Sequence, residues 1–200
     1  MTLLLSTAYN LYWLGRYMRR TQELLRTATQ IAPPQRQQVL AAVGVVLDDM
    51  GDDKVLAHLA ETALPDLFHR INDNVQAVRA VIDADASELF NQVRRLYQAG
   101  SPRAAVFQLS ACAAVMLEQR PLITQFWQLG DYVEMLDQRI RLGSAESRHY
   151  RYLAQVVTQL PPGTGWDRIK QQIQALVFTT QHSEFHDWRQ RLDQLFEDGV

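Results

Sequence analysis

Apolar residues recur along the chain at the spacing of an α-helix. Near the N-terminus a nearly complete apolar stripe, interrupted by Gln22, alternates steps of four and three residues, in the series Leu4, Ala8, Leu11, Gly15, Met18, Gln22 and Leu25. Such a stripe is typical of an amphipathic helix. It predicts a first helix over residues 7–31, which ends before Pro33 and Pro34 because proline cannot continue a helix.

The same pattern returns between breaks marked by proline and glycine. Further helices are predicted over residues 35–50, 53–62, 65–82, 85–100, 102–143 with a break or kink at Pro121, 144–160, from 164 onward, and 183–198. No convincing alternation with a period of two occurs. We therefore predict an all-α fold, a multihelical bundle of seven to nine helices that forms one domain over residues 1–200.

Capping residues are predicted at several helix starts. Asp85 and Glu88 have the spacing of a capping box, and Ser101 precedes a proline in the first helical position. Thr164 and Asp167 have a similar cap spacing after the loop that holds two prolines and a glycine. These signals place the polar starts of the helices and leave the apolar stripes for the core.

A weak internal repeat links two of the predicted helices. The heptapeptide LGRYMRR at residues 14–20 aligns with LGDYVEM at residues 129–135, an offset of 115 residues. A glycine inside a helix costs about 1 kcal/mol relative to alanine, so it needs a structural reason. We predict that Gly15 and Gly130 allow close helix–helix approach, and that the two repeat helices pack about a pseudo-twofold axis.

Composition narrows the class of protein. The net charge is -2, with 20 basic and 22 acidic residues, which gives no general attraction to nucleic acid or to an anionic membrane. No run of 18 apolar residues occurs, so we expect no membrane span. Cys112 is the only cysteine, which excludes an internal disulfide and fits a reducing compartment. We expect a cytoplasmic protein.

Residues with metal-ligating or nucleophilic chemistry do not form a recognised site. Acid-x-x-His spacings occur at Asp66 and His69 and at Glu146 and His149, but both acids lie in a predicted first turn, where the helix dipole favours them. The aspartates around Gly51 lack the spacing of an EF-hand. The candidates are Asp48, Asp49, Asp52 and Asp53, with His182 and His186 on a later helix. We expect no metal and no cofactor.

Nucleophile chemistry is equally weak. Cys112 lies in a run of small apolar residues, which favours a packed, inert thiol over a reactive one. No nucleophile elbow, phosphate loop or dinucleotide-binding glycine motif occurs. The common enzyme motifs are therefore missing, and we expect binding rather than catalysis.

Three segments resemble the alpha-E family, a bacterial all-helical domain named for a Glu-Arg motif. They are TAYNLYWLGRY at residues 7–17, DNVQAVR at residues 73–79 with the helix that follows, and the second repeat copy from Leu129. The resemblance covers residues 7–142, and residues 143–200 form a helical C-terminal part without a clear match. It places the family's motif positions at Asn10, Tyr12, Trp13, Gly15, Arg16, Arg20, Asn74, Arg79, Gly130 and Glu134.

The chain departs from the family pattern in both copies of the motif. The first copy has Arg19 in the place of the glutamate and keeps the arginine as Arg20. The second keeps the glutamate as Glu134 but has Met135 in the place of the arginine. One charge of each sign therefore remains, and we hypothesise that Arg20 and Glu134 pair between the repeat helices.

The remaining motif residues have two interpretations. Arg16, Asn74 and Arg79 either cap and bridge neighbouring helices or clamp a carboxylate or phosphate in a cleft. Tyr12, Trp13, Trp127 and Tyr132 are expected to be aromatics of the core or its rim, not a platform for stacking nucleic-acid bases.

The resemblance also implies a function. Members of the family are typically encoded with, or fused to, circularly permuted ATP-grasp proteins and transglutaminase-like proteins, which suggests a role in forming or processing amide-linked peptides. We expect an accessory or adaptor protein with such partners. The alternatives are a helical transferase or ligase component that binds a carboxylate or phosphate through its arginines, and a self-associating structural protein such as a homodimer.

Overall fold

The regular elements are all helices. The computed structural model describes residues 3–42, residue 45 and residues 54–197. Within these residues the all-α prediction is confirmed, with ten helices and no strands, slightly above the predicted seven to nine. They are α1 Leu5–Gln30, α2 Pro33–Ala42, α3 Val55–Glu61, α4 Ala63–Val78, α5 Ala84–Gln98, α6 Pro102–Leu117, α7 Pro121–Arg141, α8 Ser147–Thr158, α9 Thr164–Thr179 and α10 His182–Glu197.

Prolines mark where helices begin. Pro33 is the first residue of α2, and Pro102 and Pro121 occupy the first turns of α6 and α7. A proline fits there because its missing N–H is a group that the first turn leaves unbonded anyway. The predicted break at Pro121 is thus a real boundary between two helices.

Two predicted caps are displaced. The N-cap of α5 is Asp83, not Asp85, because α5 begins at Ala84 and Asp85 already lies in its first turn. The N-cap of α9 is Gly163, whose backbone N–H donates to Asp167 Oδ2 at 3.3 Å. Asp167 therefore has the predicted capping role, with its partner one residue earlier than Thr164.

The predicted helix over residues 35–50 is described only as far as Ala42, and its remainder lies largely outside the described residues.

The chain divides into two compact units. The first unit comprises residues 1–16 and 120–200, and the second comprises residues 17–119. α1 contributes its first part, to Arg16, to the first unit and its remainder to the second.

Consecutive helices form the core of the first unit. α8 packs between α7 and α9, and α9 packs against α10. The apolar face of α8 is buried, with Tyr150 and Leu153 fully enclosed. The indole N–H of Trp188 in α10 donates to the carbonyl of Ile169 in α9 at 3.0 Å, so its buried polar atom is satisfied.

The second unit is built mainly on α4, α5 and α6. α5 packs along α6, and α4 packs against both α3 and α5. Buried aliphatic and aromatic side chains fill the space between them, among them Ile71, Phe90 and Leu109. The helical stripes recognised in the sequence are therefore the faces that these helices bury. None of the described helices has the length and apolar character needed to cross a membrane.

Candidate functional site

α1 and α7 cross at two glycines. A Cβ atom on Gly15 would lie 2.1 Å from the carbonyl oxygen of Trp127 and 2.9 Å from the backbone nitrogen of Asp131. A Cβ atom on Gly130 would lie 1.8 Å from the carbonyl oxygen of Tyr12. Both glycines thus permit backbone-to-backbone contact, which confirms the role predicted for them.

The crossing is reciprocal. Tyr12 and Trp127 are equivalent positions of the internal repeat, as are Gly15 and Gly130, all at the offset of 115 residues. Each glycine therefore faces the carbonyl of the other copy's aromatic residue. A contact in which two equivalent patches face each other is the geometry of a twofold interface, in agreement with the predicted pseudo-twofold packing.

A buried ion pair lies one residue beyond Gly15. Arg16 donates from Nε to Oε2 of Glu134 at 3.0 Å, and its Nη2 lies 3.0 Å from the same oxygen. The two side chains are only 5% and 2% exposed. Gln138 donates from Nε2 to the other carboxylate oxygen, Oε1, at 3.2 Å. Both oxygens of Glu134 are thus bonded within the protein.

Asp137 extends the pair towards α10. Its Oδ2 lies 4.0 Å from Nη2 of Arg16 and 2.6 Å from Nη2 of Arg141. Its Oδ1 accepts from Nη1 of Arg189 in α10 at 3.1 Å. A buried carboxylate needs such partners, because an unpaired charge in the interior is very costly.

Tyr12 closes the arrangement from α1. Its hydroxyl donates to Oδ1 of Asp193 in α10 at 3.1 Å and lies 3.4 Å from Nη1 of Arg16. The guanidinium of Arg16 also lies 4.7 Å from the ring centroid of Trp13, within cation–π range. We refer to these bonded side chains as the Glu134 network. Its members are Tyr12, Arg16, Glu134, Asp137, Gln138, Arg141, Arg189 and Asp193.

The charges of the Glu134 network balance, with three arginines against three carboxylates. Burial raises the pKa of Asp193, against the opposing effects of the Arg16 charge and the Tyr12 hydrogen bond. Burial also raises the pKa of Tyr12 well above its usual value, and the Asp193 charge adds to this. Burial disfavours the charge on Arg16, but the oxygens of Tyr12 and Glu134 outweigh it and raise the pKa of that side chain. The phenol therefore stays protonated and the guanidinium charged.

The other motif residues lie in different surroundings. Asn10 donates from Nδ2 to the carbonyl of Ser6 at 2.7 Å, and Asn74 likewise to Arg70 at 2.7 Å, each one turn back on its own helix. Arg79 is exposed at the end of α4. The hypothesised pairing of Arg20 with Glu134 stays a prediction; among the described contacts within the first unit, Glu134 pairs with Arg16.

Sequence reasoning missed most of the Glu134 network. Asp137, Gln138 and Arg141 follow Glu134 at steps of three, four and seven residues, so they share one face of α7. This run of polar residues along one face of α7, next to a motif glutamate, was the available signal. Arg189 and Asp193 had no comparable one, because opposite charges four residues apart are common on exposed helix surfaces.

Aromatic side chains pack around Phe196, next to Tyr12 of the Glu134 network. Phe196 of α10 contacts Tyr9 and Tyr12 of α1, with ring centroids 5.8 and 5.2 Å away. It also contacts Phe126 of α7 and Trp166 of α9, at 6.3 and 5.5 Å. The rings of Tyr9 and Tyr12 in the first motif are therefore packed in this core.

Several of the candidate metal ligands have other partners within the described residues. No group of three or more histidine, cysteine, aspartate or glutamate side chains is placed to hold a metal ion in residues 3–42, 45 and 54–197. Asp66 pairs with Arg70, and His69 pairs with Asp73, all on the exposed face of α4. The aspartates at positions 48, 49, 52 and 53 lie outside the described residues.

His149 has a capping role instead. Its Nδ1 accepts a hydrogen bond from the backbone N–H of Glu146 at 2.9 Å, at the start of α8. Glu146 is the N-cap of that helix. The acid-x-x-His spacing at this position is therefore explained by helix capping, with the histidine in the place where a capping box has Glu or Gln.

The surroundings of His149 make folding pH-dependent. Burial lowers the pKa of His149, and the charges of Arg139 and Arg148 lower it further. Since the folded pKa lies below the unfolded value of about 6.5, the stabilisation is complete above that pH and is lost as pH falls through the folded pKa. We expect the free energy of unfolding to decrease below pH 6.5 and to do so less in His149→Gln, whose amide oxygen still accepts. Urea titrations between pH 5 and 8 measure this, and equal pH dependence in both proteins would contradict it.

Cys112 is enclosed in α6 with no exposed surface. Burial raises the pKa of its thiol to about 12. The thiolate is the reactive form of cysteine, so this side chain is a packing residue and not a nucleophile.

A known protein family matches this chain. Among curated proteins and solved structures, none matches the chain. A family model does match, over residues 3–193, and it is described as an alpha-helical domain with a conserved ER motif. The match includes most of the C-terminal part that the sequence motifs left open, to residue 193, and it contains every residue of the Glu134 network. The chain therefore belongs to the alpha-E family.

Proposed function

We propose that this alpha-E protein is a non-catalytic accessory subunit of a bacterial, cytoplasmic amide-bond-forming system. One observation carries the proposal: Glu134, the glutamate retained from the family motif, is buried and bonded to Arg16 and Gln138. A motif glutamate that is enclosed in this way holds helices together and is not presented to a substrate. Recognition then belongs to the outer surface of the helices.

The partners follow from the family resemblance. ATP-grasp-type proteins supply activated carboxylates, and transglutaminase-like proteins act on amide bonds, so an adaptor between them handles amide-linked peptides. The single cysteine of the chain supports a reducing compartment, as in the cytoplasm. Binding to these proteins requires neither a metal nor a nucleophile on this chain.

Affinity capture from the cells that make the protein tests the proposal. Tagged wild-type protein and Glu134→Gln are compared, with the fold of each checked by circular dichroism. We expect both to recover an ATP-grasp or transglutaminase-like protein, because the substituted side chain is internal. Binding of the recovered partner is then repeated with purified components.

Two outcomes would overturn the proposal. The first is recovery of the protein alone, which would favour self-association. The second is turnover of a carboxylate or phosphate substrate by the purified protein, lost in a folded Glu134→Gln variant, which would establish an enzyme.

A further inference from the structure

A groove runs between α4 and α5 in the second unit. Its floor is apolar and is formed by the buried side chains of Phe68, Ile71, Phe90 and Val93. Tyr97 closes one end, stacked on Phe68 with ring centroids 4.2 Å apart. The groove encloses about 280 Å³, near the lower end of the range for ligand pockets. A small apolar side chain fits a space of this kind.

Amide side chains line the wall above this floor. Asn72 and Gln76 come from α4, and Asn91 comes from α5. Each amide offers both a donor and an acceptor. This combination matches the alternating N–H and C=O groups of a peptide main chain.

Two arginines line the adjoining stretch of the same groove. Arg79 and Arg94 are exposed, and the amides Asn72, Gln76 and Asn91 lie beside them along the wall. Neither arginine has an ion pair or hydrogen bond to another residue in the part of the chain that the structure describes. The neighbouring Arg95, by contrast, is paired with Glu88.

The groove is therefore complementary to carboxylates. Among the described residues that line it, none is acidic. A guanidinium group bonds a carboxylate through two parallel N–H groups, which makes arginine better suited to this task than lysine. An apolar floor, an amide wall and two unpaired guanidinium groups together define the ligand.

We propose that the α4–α5 groove binds a short acidic peptide. One apolar side chain of the peptide lies on the floor, its main chain bonds the wall amides, and its carboxylates pair with Arg79 and Arg94. The inference deepens the proposed function, since it supplies the peptide that an amide-bond-forming system would extend or cut. In this groove Arg79 would have the clamp role that the sequence offered as one of two interpretations.

Fluorescence anisotropy with labelled peptides tests the proposal. The probe is Leu-Glu-Glu with an uncharged dye on its N-terminal amine and a free C-terminal carboxylate, and the neutral comparison is Leu-Gln-Gln amide with the same dye. We expect the acidic probe to bind at least about tenfold more tightly. Arg79→Gln and Arg94→Gln should each weaken it by about tenfold, the loss expected for one charge-assisted hydrogen bond. The amide resonances of Asn72, Gln76 and Asn91 should shift on binding.

Arg95→Gln is the matched control. It removes the same charge from the next residue of α5, outside the groove, and should change the affinity less than twofold. Equal affinity for the two peptides, or equal losses in Arg94→Gln and Arg95→Gln, would overturn the proposal. Displacement of the probe by an equal concentration of inorganic phosphate would also overturn it, since it would show a general anion site.

The outcome is separable from that of the proposed function. The peptide assay uses the purified protein alone, whereas the accessory role depends on partner recovery. Recovery of a partner without peptide binding rejects only the groove. Peptide binding without partner recovery rejects only the accessory role.

Discussion

Gly130→Ala should strongly destabilise the protein, with a loss of more than about 3 kcal/mol in the free energy of unfolding. The new Cβ atom would lie 1.8 Å from the carbonyl oxygen of Tyr12. Overpacking usually costs about 1–3 kcal/mol because side chains adjust. Here the obstacle is backbone, so relief requires that α1 and α7 separate, which also pulls Arg16 from Glu134. Since small domains are stable by only about 5–15 kcal/mol, a loss of this size is a large share of the total stability. Urea denaturation followed by circular dichroism measures the loss.

Gly15→Ala and Gly165→Ala complete this test. Gly15→Ala should behave like Gly130→Ala, because its Cβ atom would meet the Trp127 carbonyl oxygen at 2.1 Å. At Gly165 the close neighbour is the end of the Leu195 side chain, which is flexible. Alanine there also gains up to about 1 kcal/mol of helix propensity. Equal stabilities of the Gly130→Ala and Gly165→Ala variants would contradict the close crossing.

Glu134→Ala should cost about 3–5 kcal/mol. The substitution removes the nearest carboxylate of the buried Arg16 guanidinium. Asp137 lies 4.0 Å away, and the other close contacts are the Tyr12 hydroxyl and the Trp13 ring. Breaking a buried pair from one side is costly because the remaining charge is uncompensated. Thermal and urea denaturation of the variant measure the change.

A double variant separates the pair from its surroundings. Arg16→Met/Glu134→Leu should be less destabilised than Glu134→Ala alone, because no unpaired buried charge remains. Asp66→Asn, which removes the acid of an exposed pair with Arg70, should change the free energy of unfolding by less than about 1 kcal/mol. If the stability losses of the Arg16→Met and Glu134→Leu single variants added up to the loss of the double variant, the two side chains would not interact.

The fold class followed from the sequence because helix formation is local. Apolar stripes at steps of three and four residues, together with prolines at the boundaries, placed most helices within a few residues. The end of α7 is an example of such a local signal. Gly143, two residues after the helix, has a φ of +63°, which favours glycine and stops the helix there. Cap identities were less certain. At α5 both Asp83 and Asp85 are of a residue type that caps helices, and only the position where the helix begins selects Asp83.

The candidate site was only partly accessible from the sequence. The repeat and its glycines predicted that two helices cross closely, because an internal glycine pair needs a reason. The network around Glu134 depends on which turn of α1 and which face of α10 meet α7. One turn of helix is only about 5.4 Å long, so the motif by itself did not indicate that Arg16 bonds Glu134.

What the sequence determined by itself was therefore the set of helices, the paired glycines and the family to which the chain belongs. Only the tertiary structure decided that the motif glutamate is enclosed by Arg16 and Gln138, that Asp137 and Arg189 extend its network, and that Arg79 and Arg94 share a groove. The physical reason is the range of the interactions. Helix propensity and periodicity act within a few residues, whereas burial and charge pairing arise between side chains up to 181 residues apart, as in the bond from Tyr12 to Asp193.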